Sequence, residues 1–194
     1  MPHIKPSRTL RTERQAGISL VVVLLFLVIL TLLGLSASLQ SVSGERMARN
    51  ARDHNIALQA AEAALRDARR DITSVRMLHG RTGASSTCDA VGFQGFCLPQ
   101  DTVGERPVWD LYLQDPARSV ALGAITGLSA AQRMPQAPAA GGVSQQPRYL
   151  IEPIADTSDG SLKAGATQYV YRITAIGFGA LPDTTVILQE VVRF

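Results

Sequence analysis

The chain has 194 residues, 46% of them hydrophobic, and a formal net charge of +3. This length suits one modest domain with additional segments, and the ordinary overall polarity excludes a polytopic membrane protein. The positive charge does not indicate nucleic-acid binding, because residues 1–17 alone carry +3 and the remaining 15 basic and 15 acidic residues balance. Zinc-finger spacing and an aromatic-rich basic stripe are both missing from the sequence, so we expect no nucleic-acid partner.

A long apolar run, ISLVVVLLFLVILTLLGLSASL, covers residues 18–39 and follows a basic stub that ends at Gly17. A helix of about 33 Å matches a hydrocarbon core of about 30 Å. The small residues of GLSAS leave signal-peptidase cleavage open. The run is nevertheless long for a secretory signal, and it continues into a helical pattern. We therefore predict a retained, single-pass transmembrane helix, with residues 1–17 on the cytoplasmic side.

Residues 40–79 predict an amphipathic continuation of the same helix. The stretch from Glu45 to Arg76 contains no Pro or Gly and is rich in Ala, Arg, Leu and Glu, which favour helices. Apolar and small residues recur at alternating steps of three and four, a pattern typical of a packing stripe. The predicted stripe comprises Met47, Ala51, His54, Leu58, Ala61, Leu65, Ala68, Ile72 and Val75. It would pack against other helices and against a head domain.

Residues 80–194 predict a globular head, with a loop region over 80–147 and antiparallel strands over 148–194. The strands follow from RYLIEPI, QYVYRITAIGFG and TTVILQEVVRF, which are separated by Gly- and Pro-containing turns. Cys88 and Cys97 are the only cysteines. Their spacing favours a disulfide over two free buried thiols if the head is extracytoplasmic. The expected fold class is α+β: a long helix packed on a small antiparallel sheet.

Catalytic and metal-binding patterns are not evident in the sequence, so we expect neither an enzyme nor a cofactor nor a metal site. His54 lies on the helix stripe and is better explained as a packed or partly solvated residue than as a base. The segment DTSDGS at 156–161 offers oxygen ligands, but it lacks the register of a calcium-binding EF-hand loop. A plain β-turn is the favoured interpretation of this segment.

The leader ending in RQAG, the apolar run, ERMARN, ALQAAEAALR and the closing strands together resemble the PilX-type minor pilins of type IV pili. The resemblance implies cleavage by prepilin peptidase between Gly17 and Ile18, and methylation of Ile18. It implies an inner-membrane subunit with a periplasmic head that later reaches the pilus tip at the cell surface. The implied partners are other minor pilins, the major pilin and a large tip adhesin, and the implied processes are twitching motility and cell adhesion.

One position departs from most pilins, which carry a glutamate at the fifth residue after the cleavage site. Here that residue is Val22. In the pilins that have it, the carboxylate of this glutamate compensates a neighbouring subunit's N-terminal ammonium in the apolar fibre core, where an unpaired charge is costly. We therefore expect a subunit that primes or caps assembly at the fibre tip. The alternatives are a tip pseudopilin of type II secretion, a signal-anchored periplasmic protein outside any fibre, and a secreted binding module or enzyme cut after Ala37.

Overall fold

The structure, a computed structural model, describes residues 18–100, 102, 104–156 and 167–194, with side chains of 37–42 left undescribed. Two compact units divide between Met47 and Ala48. The first contains the apolar segment, and the second, Ala48–Phe194, is the head. Gly17 and the leader lie outside the described residues, as does the DTSDGS segment after Asp156.

Helix α1 extends from Ile18 to Arg70. The absence of proline and the presence of only two glycines, Gly34 and Gly44, are consistent with this length. The helix widens into a π-helical turn at Asp71–Val75, where the Arg76 amide donates to the carbonyl of Asp71 at 3.0 Å. Met77 then adopts a left-handed conformation with φ of 46°, which ends the helix and turns the chain.

The sheet is antiparallel and its four strands follow chain order. The strands are β1 (Val120–Ala121), β2 (Arg148–Ala155), β3 (Tyr169–Phe178) and β4 (Thr185–Val192). The register pairs Ile151 with Ile173 between β2 and β3, and Ile176 with Ile187 between β3 and β4. The α+β prediction is confirmed, and the three long strands lie where the sequence predicts them. The short β1 lies inside the region that was predicted as loop.

One face of the sheet packs on the head portion of α1 and forms the larger core. The strands contribute Tyr149, Ile151, Tyr171, Ile173 and Ala175, and the helix contributes Ala64, Leu65, Ala68 and Ile72. The small side chains of α1 allow a close approach to the sheet. A Cβ added at Gly177 of β3 would lie 2.0 Å from the carbonyl oxygen of Ala57, so this strand position requires glycine.

The opposite face of the sheet is covered by the disulfide loop and by α2 (Val108–Tyr112). The second core cluster joins Leu150, Ile176 and Phe178 of the sheet to Cys88, Cys97, Val108 and Leu113. The head is therefore built in three layers: helix, sheet and a loop layer fastened by the disulfide. Two covered faces allow a four-stranded sheet to bury apolar residues on both sides.

Candidate assembly surfaces

The apolar segment of α1 is an exposed surface in the isolated chain. Residues Ile18–Ser36 are long and apolar enough to cross a membrane, and none of them is buried. Its hydroxyl-bearing Thr31 donates to the carbonyl of Val28 at 2.8 Å, which satisfies that group without water. Ile18 is the first described residue, and Val22 lies on the same helix with 46% of its surface exposed. Such a surface requires lipid or other apolar helices to cover it.

The predicted stripe divides into a packed part and an exposed part. Ala61, Leu65, Ala68 and Ile72 are buried in the head, and Leu58 is half-buried. Met47, Ala51, His54 and Val75 are exposed. The packing role of Met47 and Ala51 stays a prediction, because these exposed side chains would be buried only by contact with another subunit.

The buried face of α1 is shifted by one position from the predicted stripe. The buried positions that precede stripe positions by one residue are Asp53, Ala57, Ala60, Ala64, Asp67 and Asp71. Both sets recur at steps of three and four, but one position turns a helical side chain by about 100°. The head buries both sets between Ala60 and Ile72, whereas further N-terminal it buries Asp53 and Ala57 and leaves His54 exposed.

Three of these positions are aspartates, which the sequence interpretation missed. Asp53 Oδ1 accepts from the backbone amides of Ala180 and Leu181 in the β3–β4 turn. Asp67 accepts from the Gly123 amide at 2.7 Å and from the Thr126 hydroxyl, both in the loop after β1. Each carboxylate thus holds a separate loop of the head against the helix.

Asp71 forms the most buried of these contacts. Its carboxylate accepts from Arg76 Nε at 2.8 Å and from the Tyr149 hydroxyl at 2.8 Å. Arg76 in turn donates to the carbonyl of Gln94, so the pair reaches the disulfide loop. Burial raises the pKa of Tyr149 far above its ordinary value, and the charge of Asp71 raises it further. Tyr149 therefore stays protonated and acts as a donor.

The disulfide layer organises the loop region. Cys88 and Cys97 are joined and fully buried. The Cys97 amide donates to the Ile151 carbonyl at 2.8 Å, and the Ile151 amide donates to the Gly95 carbonyl at 2.8 Å. The loop therefore lies along the outer edge of β2. Among the described residues, His, Cys, Asp and Glu side chains form no group of three or more that could hold a metal ion.

An exposed apolar helix in the first unit and a helix packed on an antiparallel sheet in the second define a pilin-like subunit. Two family models match the chain: PilX N-terminal over residues 16–66 and Type IV pilus assembly protein PilX C-term over residues 79–194. The chain belongs to the PilX family and is a component of type IV pilus assembly. This family is structural rather than catalytic. No curated protein and no solved structure matches the chain.

Proposed function

We propose that this chain is a minor pilin that primes or caps type IV pilus assembly at the fibre tip. Its helix would pack with the helices of neighbouring subunits, and its head would dock with their heads. The PilX family supports the pilus assignment, and the exposed apolar segment supports the helix packing.

The observation that carries the tip position is Val22. No charged residue lies between Ile18 and Ser36, so the apolar segment offers no carboxylate to a neighbouring ammonium. A subunit inserted below others would leave such an ammonium unpaired in a water-free core, which costs several kcal/mol. The first subunit of a fibre has no earlier subunit to neutralise. This chain therefore suits the first position better than any later one.

Processing and location follow from the same proposal. Prepilin peptidase would cut between Gly17 and Ile18, and Ile18 would become the methylated N-terminus. Cleavage there removes the basic stub and keeps the apolar helix. Before assembly the chain would be anchored in the inner membrane with its head in the periplasm. That oxidising compartment fits the disulfide between Cys88 and Cys97.

The proposed partners are other minor pilins, the major pilin and a large tip adhesin. A chain that starts the fibre contacts the subunits below it through its helix and head. Any adhesin would sit on the side that faces away from the fibre. Twitching motility and adhesion would depend on the chain only through the number and tip composition of the pili.

The substitution Val22→Glu tests the tip position. We expect it to allow incorporation along the fibre, so immunogold label on the head should move from one end of sheared pili to the whole length. Val21→Glu is the matched control, because it places the same acid on the adjacent helical position, about 100° away around the helix. It should not redistribute the label. Unchanged pilus number, incorporation and label position in Val22→Glu would contradict the proposal.

A deletion of the gene separates a pilus role from a role in type II secretion. We expect fewer surface pili and unchanged export of secreted enzymes. Loss of secretion with normal pili would favour the pseudopilin alternative.

A further inference from the structure

The sheet of the head is closed at one edge and open at the other. At the closed edge, β1 pairs with β2 through Val120 and Tyr149, and residues 95–97 continue along β2 at Ile151. At the other edge, all eight residues of β4 pair with β3. Within the described ranges, β4 has no strand on its outer side. Alternate residues of β4 therefore present outward N–H and C=O groups.

Strand β4 also lacks three of the features that usually protect an open edge, namely proline, lysine and a bulge. Its sequence, TVILQEVV, contains no proline and no lysine, and five of its eight residues are β-branched. The register with β3 is continuous from Thr185 to Val192, so no bulge bends it away. Its single charged residue, Glu190, is bound by Arg69 of the helix. Because Arg69 neutralises this inward-pointing charge, the long and regular edge is suited to pairing with another strand.

An apolar row accompanies the open edge. Ile187 is 44% exposed and Val191 is 60% exposed, and both lie on the face of β4 that points away from α1. The loop layer covers the neighbouring Ile176 of β3, but it stops short of β4. A strand added beside β4 would place its own side chains against Ile187 and Val191.

The head portion of α1 runs in the same direction as β4. Asp53 contacts the turn that precedes β4, and Arg69 contacts Glu190 near the end of the strand. Antiparallel pairing of two β4 strands would relate two copies by a two-fold axis normal to the sheet, so their helices would point in opposite directions. Two chains whose helices enter from one membrane cannot pair in this way.

A second copy cannot pair through its other edge either. That edge is occupied by β1 and by residues 95–97 of its own chain. Antiparallel self-pairing and pairing through the β1 edge are thus both disfavoured, and a different chain that offers an extended segment is the occupant that fits the β4 edge.

We propose that the open edge of β4 accepts a β-strand from the head of a different pilin-type subunit. The strand extends the sheet by main-chain hydrogen bonds, and apolar side chains on it contact Ile187 and Val191. This proposal rests on the proposed function, because it needs neighbouring subunits anchored in the same membrane. It adds to that function the surface through which the heads dock.

Site-specific photo-crosslinking tests the pairing in cells that express the complete set of pilus proteins. A photoreactive amino acid replaces Ile187 in one full-length variant and Val191 in a second, and the crosslinked peptides are identified by mass spectrometry. Because the two positions are about 13 Å apart on one strand face, their adducts should map four residues apart on one extended segment of another pilin-type chain.

The competing outcomes are distinguishable. Adducts to a second copy of this chain, to lipid, to a protein of another class, or to scattered positions would overturn the proposal, as would the absence of adducts. If the chain is still recovered from sheared pili in that case, the proposed pilus function stands and only the β4 pairing fails.

A matched pair of substitutions provides a second test. Val191→Lys places an ammonium on the docking face, and crosslinking from position 187 should fall about tenfold, which corresponds to about 1.4 kcal/mol. Val91→Lys makes the same change at a 99% exposed valine in the disulfide loop, and the yield should stay at the wild-type level. Equal yields in both variants, with both chains carrying the disulfide, would contradict the proposal.

Discussion

At the scale of single residues, three aspartates attach the helix to the rest of the head. Asp53, Asp67 and Asp71 lie on the buried face of α1, and each accepts hydrogen bonds from a different segment. The sequence could not identify them, because an aspartate in an Arg-rich helix ordinarily lies in solvent. The three aspartates can be assigned to the apolar face only because they lie at helical spacing with the buried Ala57, Ala60 and Ala64.

The substitution Asp71→Asn tests the most buried of these contacts. It removes the charge that compensates Arg76, whose side chain is only 8% exposed. Breaking a buried pair by removing one partner costs about 3–5 kcal/mol. We expect a clear fall in the thermal midpoint of the detergent-solubilised chain, followed by circular dichroism.

The matching control is Asp110→Asn, which disrupts the exposed pair with Arg106. Hydrogen bonding to Arg106 lowers the pKa of Asp110, yet solvent screens such a pair strongly. The midpoint of this variant should stay close to wild type. Equal effects of the two substitutions would show that Asp71 does not act as a buried anchor.

At the scale of elements, strands were more predictable than the phase of the helix. Three runs separated by Gly- and Pro-containing turns identified β2, β3 and β4, and side chains alternated between two faces in the run that forms β3. The stripe on α1 was assigned one position away from the series that is buried along the whole head portion, and one position turns a helical side chain by about 100°, so its N-terminal part is exposed. The loop region could not be predicted, because its shape depends on long-range contacts such as Arg76 with Gln94 and Cys97 with Ile151.

The substitution Gly177→Ala tests the close approach of helix and sheet. The new methyl group would lie 2.0 Å from the Ala57 carbonyl oxygen and 2.4 Å from the Ala61 nitrogen. Overpacking of this kind costs about 1–3 kcal/mol, and we expect a value near the upper end because backbone must move. Gly44→Ala meets nothing within 4 Å and should not destabilise the chain. Comparable thermal midpoints for the two variants would argue against the tight contact.

Replacing both Cys88 and Cys97 by alanine tests the loop layer. The bridge closes a loop with a sequence separation of 9, for which chain entropy predicts a loss of about 2–3 kcal/mol. Alanine avoids a buried hydroxyl at these fully buried positions. The variant should unfold at lower denaturant concentration, while the reduced wild-type chain should behave like the variant. A denaturation midpoint equal to that of the oxidised wild type would exclude a stabilising role for the bridge.

At the scale of the whole molecule, sequence and structure together describe a subunit with two surfaces that other molecules would cover. Its apolar segment, Ile18–Ser36, needs lipid or other helices, and its sheet ends in an open β4 edge. The family was predictable from the leader, the apolar run and the closing strands. The open edge at β4 was not predictable, because the sequence does not show that residues 95–97 cover the opposite edge of the sheet, beside β2.

The most direct test of the account is the intact mass of this chain recovered from sheared, purified pili. We predict a chain that begins at a methylated Ile18, has lost residues 1–17 and keeps the apolar helix. A chain that still begins at Met1, or one that begins after Ala37, would contradict the account, as would its absence from pili while it is abundant in the membrane.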